Sequence, residues 1–177
     1  MSNRKKSALA GSILENKREA EEEARRLKKA LKERGYSVKM ERKGDAFLVF
    51  NPELIFRYHN LEIIVNSLPS KKEEETSKKV VKAYKEQDFS ILSRIDNLTR
   101  AVLYDRERNK LMLLTDKFAR KPIYYRKTSE EIIFSSHLTT FPALKTLETE
   151  MNEKSVYDHL KFGSAGTPYR NGSTLLK

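Results

Sequence analysis

The side chains that most often carry nucleophilic or metal chemistry are scarce in this chain. It has no cysteine, which excludes a thiolate nucleophile, disulfides and Cys-based zinc or iron–sulfur sites. His59, His137 and His159 are scattered without metal-ligand spacing, so no metal or other cofactor is expected. The stretch that stands out is Leu111 to Tyr125, L-M-L-L-T-D-K-F-A-R-K-P-I-Y-Y. An apolar strand there runs into Asp116, which can accept backbone or Arg/Lys hydrogen bonds in a turn, and Pro122 sets the approach to the next strand. Read from residue types alone, this is scaffold. A second chemistry is electrostatic. Arg4, Lys5, Lys6, Lys17 and Arg18 form a basic start that could attract RNA or another polyanion. No exposed aromatic interleaves with them, which weakens single-stranded RNA as a partner.

These residues must be positioned by a chain of 177 residues, enough for one domain with a real core. Charged residues make up 34%, and no apolar run approaches the ~20 residues that cross a bilayer. The basic start lacks the apolar region of a secretory signal, so a soluble, cytoplasmic protein is expected. The formal charge of +11 is uneven, with 14 Lys+Arg against 7 Asp+Glu over residues 1–43. Abundant Lys and Glu, no Trp and a single Gln, Gln87, have the compositional habit of a thermophile.

Ser7 to Leu14 reads as a buried strand. Asn16 then offers a helix N-cap, and Ala20, Ala24, Leu27 and Leu31 recur at helical spacing until Arg34-Gly35 stops the run. Strands are predicted over 36–43, 46–50, 54–58 and 61–65, the first two joined at Gly44. Residues 67–75 read as a loop, and Val80, Val81 and Tyr84 mark a second helix ending near Gln87. Strands at 99–104, 110–115, 123–126 and 131–135 follow, joined in part by turns, and a third helix spans 153–160. Locally paired strands with few helices predict an α+β layered sandwich.

Asp116-Lys117-Phe118 and Lys121-Pro122-Ile123-Tyr124-Tyr125 resemble the A-R-D-R-F-G-I-K-P-L-Y-Y signature of the N-terminal glutaminase domain of asparagine synthetases, which are class II glutamine amidotransferases. The flanks keep step: Leu92 to Asp105 resembles L-x-x-L-x-G-M-F-A-F-A-L-Y-D, and Ile132 to Phe141 resembles L-L-F-A-S-E-L-K-A-L. The likeness is strongest over residues 80–170. It implies an Ntn-hydrolase-like four-layer αββα sandwich with two stacked antiparallel sheets, the first strand being central and presenting the nucleophile.

The resemblance also nominates site residues. The family's M-C-G-I-A-G places Ser7 on the cysteine. Ser7 could act only after removal of residues 1–6, because the free α-amino group serves as base in that chemistry. Asn66 matches the oxyanion-hole asparagine, with Ser67 where the family has glycine; Asn51-Pro52 is a worse candidate because proline has no N–H. Arg34-Gly35 matches the Arg-Gly of H-R-G-P-D, although a helix cap explains Gly35 alone. Thr76 falls on the aspartate that holds the glutamine amino group. Nucleophile, oxyanion glycine and amino-group acceptor have all departed from the pattern.

The expected organisation is therefore a basic leader (1–6), a glutaminase-like Ntn domain (7–161) and a linker-like tail (162–177). In the family, a segment like Phe162 to Tyr169 leads into an ATP-pyrophosphatase domain, whose S-G-G-x-D-S loop is absent here. A domain without glutaminase activity, acting as structural or regulatory partner of a synthetase or self-associating, is the leading expectation. A Ser7-dependent amidohydrolase and a basic RNA-associated module are the alternatives. An exposed apolar patch is expected around Phe141, Leu144, Leu147 and Phe162.

Overall fold

The computed structural model describes residues 8–52, 55–67, 73–93, 98–116, 121–145 and 153–162. The chain divides into two compact units, Met1–Ala143 and Leu144–Lys177. In the second unit the described element is a helix, Glu153–Phe162, with Tyr157 and Leu160 exposed.

The first unit is built on two antiparallel sheets. Its strands are β1 (Leu9–Leu14), β2 (Lys39–Lys43), β3 (Ala46–Phe50), β4 (Ile55–Tyr58), β5 (Leu61–Ser67), β6 (Leu98–Asp105), β7 (Lys110–Thr115), β8 (Tyr124–Lys127) and β9 (Glu131–Ser135). One sheet has the order β2-β3-β1-β9-β8 and the other β4-β5-β6-β7. The expected hairpins β2–β3, β4–β5, β6–β7 and β8–β9 all form. As expected, β1 is the central strand of its sheet, paired with β3 on one side and β9 on the other.

Three apolar layers hold this together. Between the sheets lie Leu9, Ala46, Leu48, Phe50 and Phe134 from one and Ile64 and Val102 from the other. Helix α1 (Lys17–Glu33) covers the five-stranded sheet with Ala20, Ala24, Leu27, Ala30 and Leu31, while the Ser12 hydroxyl donates to the Ala20 carbonyl at 2.5 Å. Helix α2 (Glu73–Glu86) packs Val80, Val81 and Tyr84 onto Leu61, Ile63, Ala101 and Leu103 of the four-stranded sheet. The result is the expected αββα sandwich. Gly11 makes room within the five-stranded sheet for its neighbour's ring: a Cβ there would lie 2.5 Å from the Phe134 ring of β9 and 2.8 Å from the Phe47 carbonyl of β3.

The predicted ends of α1 hold. The Asn16 side chain accepts from the Arg18 N–H at 3.0 Å. At the other end Gly35 takes φ +80°, and the N–H groups of Gly35 and Tyr36 return to the carbonyls of Lys32 and Leu31 at 2.8 and 3.1 Å, a Schellman motif.

Two expectations need correction. Residues 73–75 belong to α2, not to the preceding loop. Glutamates favour a helix N-terminus, and Glu74–Lys78 and Glu75–Lys79 pair one turn on, each at 2.8 Å. Two of the four residues expected in an exposed apolar patch do not contribute to one: Phe141, in a 3-10 turn at Leu138–Ala143, is buried, and so is Leu144. Leu147 lies outside the described residues, as does the Phe162 side chain. Among the described residues, no helix is long and apolar enough to cross a membrane.

Candidate functional site

The start of β1, where the resemblance seats a nucleophile, is held by side chains from three directions. Beyond β3, the Asn51 Oδ1 accepts the Ala8 N–H at 2.7 Å. Beyond β9, the Ser136 Oγ accepts the Leu9 N–H at 3.0 Å, and the Ser136 N–H donates back to the Leu9 carbonyl at 2.7 Å. Asn51 and Ser136 reach β1 because β1 pairs with β3 and β9 in opposite directions, which leaves the residues just after those two strands flanking its first amides. From the segment after α1, Tyr36 contacts His137, their rings 4.6 Å apart.

Ser136 and His137 make a relay. Ser136 Oγ lies 2.7 Å from His137 Nδ1, and His137 Nε2 lies 2.7 Å from the Tyr36 hydroxyl. The serine oxygen accepts from Leu9 and keeps both its proton and a second lone pair for Nδ1, so a neutral imidazole satisfies both contacts in either tautomer. The electrostatics favour that neutral form. The imidazole pKa is held below the ordinary value, first by burial and then by the Arg100 and Arg34 guanidinium groups. Ser136 is itself buried and committed to a backbone amide, so the arrangement fixes a strand rather than presenting an attacking hydroxyl.

Arginines brace this corner from both layers. Arg34 donates to the Thr139 hydroxyl (3.1 Å) and carbonyl (2.6 Å) and to the Ala30 carbonyl (2.8 Å), tying the C-terminus of α1 to the 3-10 turn. Arg100, buried on β6, directs Nη1 to the carbonyls of Ser136 (3.3 Å) and Pro122 (3.4 Å). Burial pushes its pKa down to about 10, against the raising influence of Tyr36 and Tyr124. Lys121 is lowered as well, by burial and then by Arg100.

Of the residues nominated from sequence, Ser7 lies outside the described residues. Asn66 pairs with Arg100 across β5–β6, and a register shift separates it from Ser67, which pairs with Leu98. Arg34 and Gly35 stand at this corner, with structural roles at the helix end. Thr76 is buried in the first turn of α2, and no hydrogen bond among the described residues joins it to the relay. Sequence reading missed Tyr36, Ser136 and His137 as a unit. The available signal was His137, which stands on the glutamate of the family's L-L-F-A-S-E pattern. Asn51 was weighed only as an oxyanion donor; its side chain serves as an acceptor for β1. Among the described residues no group of His, Asp or Glu gathers to hold a metal.

With β1 central in one of two antiparallel sheets flanked by helices, the architecture fits the amidotransferase class. Residues 38–175 match the family described as glutamine amidotransferase domain, and the chain belongs to that family. It is a class II domain distantly related to the asparagine synthetases. A stretch of 59 residues is 29% identical to asparagine synthetase [glutamine-hydrolyzing] 2 of Bacillus subtilis (strain 168), and it amounts to 33% of this chain and 8% of that protein. The family match begins at residue 38, after β1 and α1.

Proposed function

We propose that this domain is catalytically silent toward glutamine and serves as a structural or regulatory partner of a synthetase-type protein. The observation that carries the reading is the start of β1. The chain has no cysteine to place there, and the Ala8 and Leu9 amides are engaged by Asn51 and Ser136. A glutaminase needs a nucleophile beside a free α-amino group and an acceptor for the substrate amino group. Thr76, buried on α2, carries no charge for the second task. What is kept is the scaffold that would hold such a site.

The test is release of ammonia and glutamate from glutamine by the purified chain, alongside its intact mass. No turnover is expected. Turnover that disappears in Ser7→Ala, with a mass lacking residues 1–6, would overturn the reading in favour of a serine amidohydrolase. Light scattering, with and without a candidate synthetase, addresses the partner; failure to form any complex would remove that half of the reading.

A further inference from the structure

Helix α1 sorts its charges by side. At about 100° per residue, Ala20, Ala24, Leu27, Ala30 and Leu31 fall on the arc packed against the sheet. Lys17, Arg18, Arg25, Lys28, Lys29 and Lys32 fall together on an adjoining arc of about 120°, which they share with Glu21 alone. Glu19, Glu22 and Glu33 collect on the other flank beside Arg26. Within the basic stripe, Arg25 holds Glu21 at 2.6 Å and Lys17 holds Asp45 at 3.2 Å. Lys29 lies 4.0 Å from Glu33. Arg18, Lys28 and Lys32 make no ion pair among the described residues.

The contact of Lys17 with Asp45, in the β2–β3 turn, places the stripe on the β2 side of the helix. The exposed Arg42 of β2 extends it: its guanidinium lies 5.9 Å from the centre of the Phe47 ring. Phe47 and Val49 alternate with the inter-sheet residues Ala46, Leu48 and Phe50, so Arg42 stands on the helix-covered face of the sheet.

We propose that this face docks the phosphate backbone of double-stranded RNA. From Lys17 to Lys32 the cations run about 22 Å along the axis at 1.5 Å per residue, a line of charge suited to a polyanion. The helix contributes no exposed aromatic as a stacking platform, which disfavours a single strand. Its underside is packed on the sheet, so the stripe meets a duplex from one side, as a row of phosphate contacts. An A-form duplex is bound across its surface through phosphates and shape.

The test is fluorescence anisotropy with an RNA duplex of about 20 bp, the corresponding DNA duplex and a single strand, titrated in salt upward from about 50 mM. The RNA duplex should bind most tightly. Arg18→Glu/Lys29→Glu/Lys32→Glu should weaken that binding at least ~10-fold and make the slope of log K against log salt shallower by about 2–3. Lys78→Glu/Lys79→Glu/Lys82→Glu, which makes the same charge change on the exposed face of α2, should stay within about 3-fold of the parent. All six positions are exposed, and melting curves verify that both variants fold. Absence of binding at about 50 mM salt, an equal loss in the α2 variant, or tighter binding of DNA or single strand would each overturn the proposal.

Discussion

Two polar regions link parts of this sandwich by different means. At the start of β1 the Tyr36–His137–Ser136 relay is neutral, and its Ser136 holds the Leu9 amide. Across the gap between β2 and β5 the linkage is ionic. Lys43 of β2 meets Glu62 of β5 at 2.6 Å and Glu41 at 2.7 Å, Lys39 also pairs with Glu41, and Arg106 pairs with Glu62. Glu62 is only 3% exposed, yet its pKa is lowered: burial opposes ionisation, and Lys43 and Arg106 outweigh it. For Glu41 the same contest, against Lys39 and Lys43, ends at about 2. Where opposite charges can meet directly, burial is overcome and the group stays ionised. Where cations surround a histidine, burial and neighbours act together and keep it neutral.

The largest expected effect comes from breaking the ionic link. Glu62→Ala leaves Lys43 buried beside a lost partner and should cost about 3 kcal/mol in urea unfolding, whereas Lys43→Met/Glu62→Met should recover most of it. If the single and double variants are equally unstable, the pair is not the source of the cost. Gly11→Ala tests the packing both regions rely on. Its methyl would press on the Phe134 ring and the Phe47 carbonyl, for a loss of about 2 kcal/mol and a lower Tm.

Ser136→Ala should act locally. It leaves the Leu9 amide without its acceptor, at a cost of about 1–2 kcal/mol, and should speed hydrogen exchange at Leu9 without altering the Lys43–Glu62 pair. Its effect should add to that of Glu62→Ala; strong coupling would mean that the regions are not independent.

The smallest effect sharpens the contrast by pH. His137 has a folded pKa below 6.5, so the unfolded chain binds more protons and stability declines as pH falls below about 6.5. The contribution of Glu41 is intact above 4.5 and is lost as pH falls from there through about 2. Unfolding free energy measured from pH 8 to 3 should therefore fall in two stages, and His137→Asn should remove the upper one. A single stage in the parent protein would contradict the neutral relay.

Much of the fold was legible because its signals are local. Asn16 and Gly35 bracket α1 by capping chemistry, and alternation with short turns marks the strand pairs. Leu111 to Tyr125 carried the family resemblance, which the match over residues 38–175 supports. The start of α2 was misread because Glu73–Glu75 looked like a solvated charge run, while the lysine partners of Glu74 and Glu75 lie one helical turn further on. The relay was hidden for another reason: Tyr36 and His137 are 101 residues apart, and Asn51 and Ser136 approach β1 only through the order of strands in its sheet.

By itself, the sequence determined that no thiolate is available, that α1 is amphipathic and basic, and that nine strand segments alternate with few helices. Each of these follows from residue type or a repeat of two to four residues. The tertiary structure alone decided which amides Asn51 and Ser136 hold, that Lys43 faces Glu62 across the sheets, and that Arg42 stands beside the basic side of α1. Those are contacts between residues distant in the chain, set by strand order and by which face of each strand is buried, and no local periodicity encodes them.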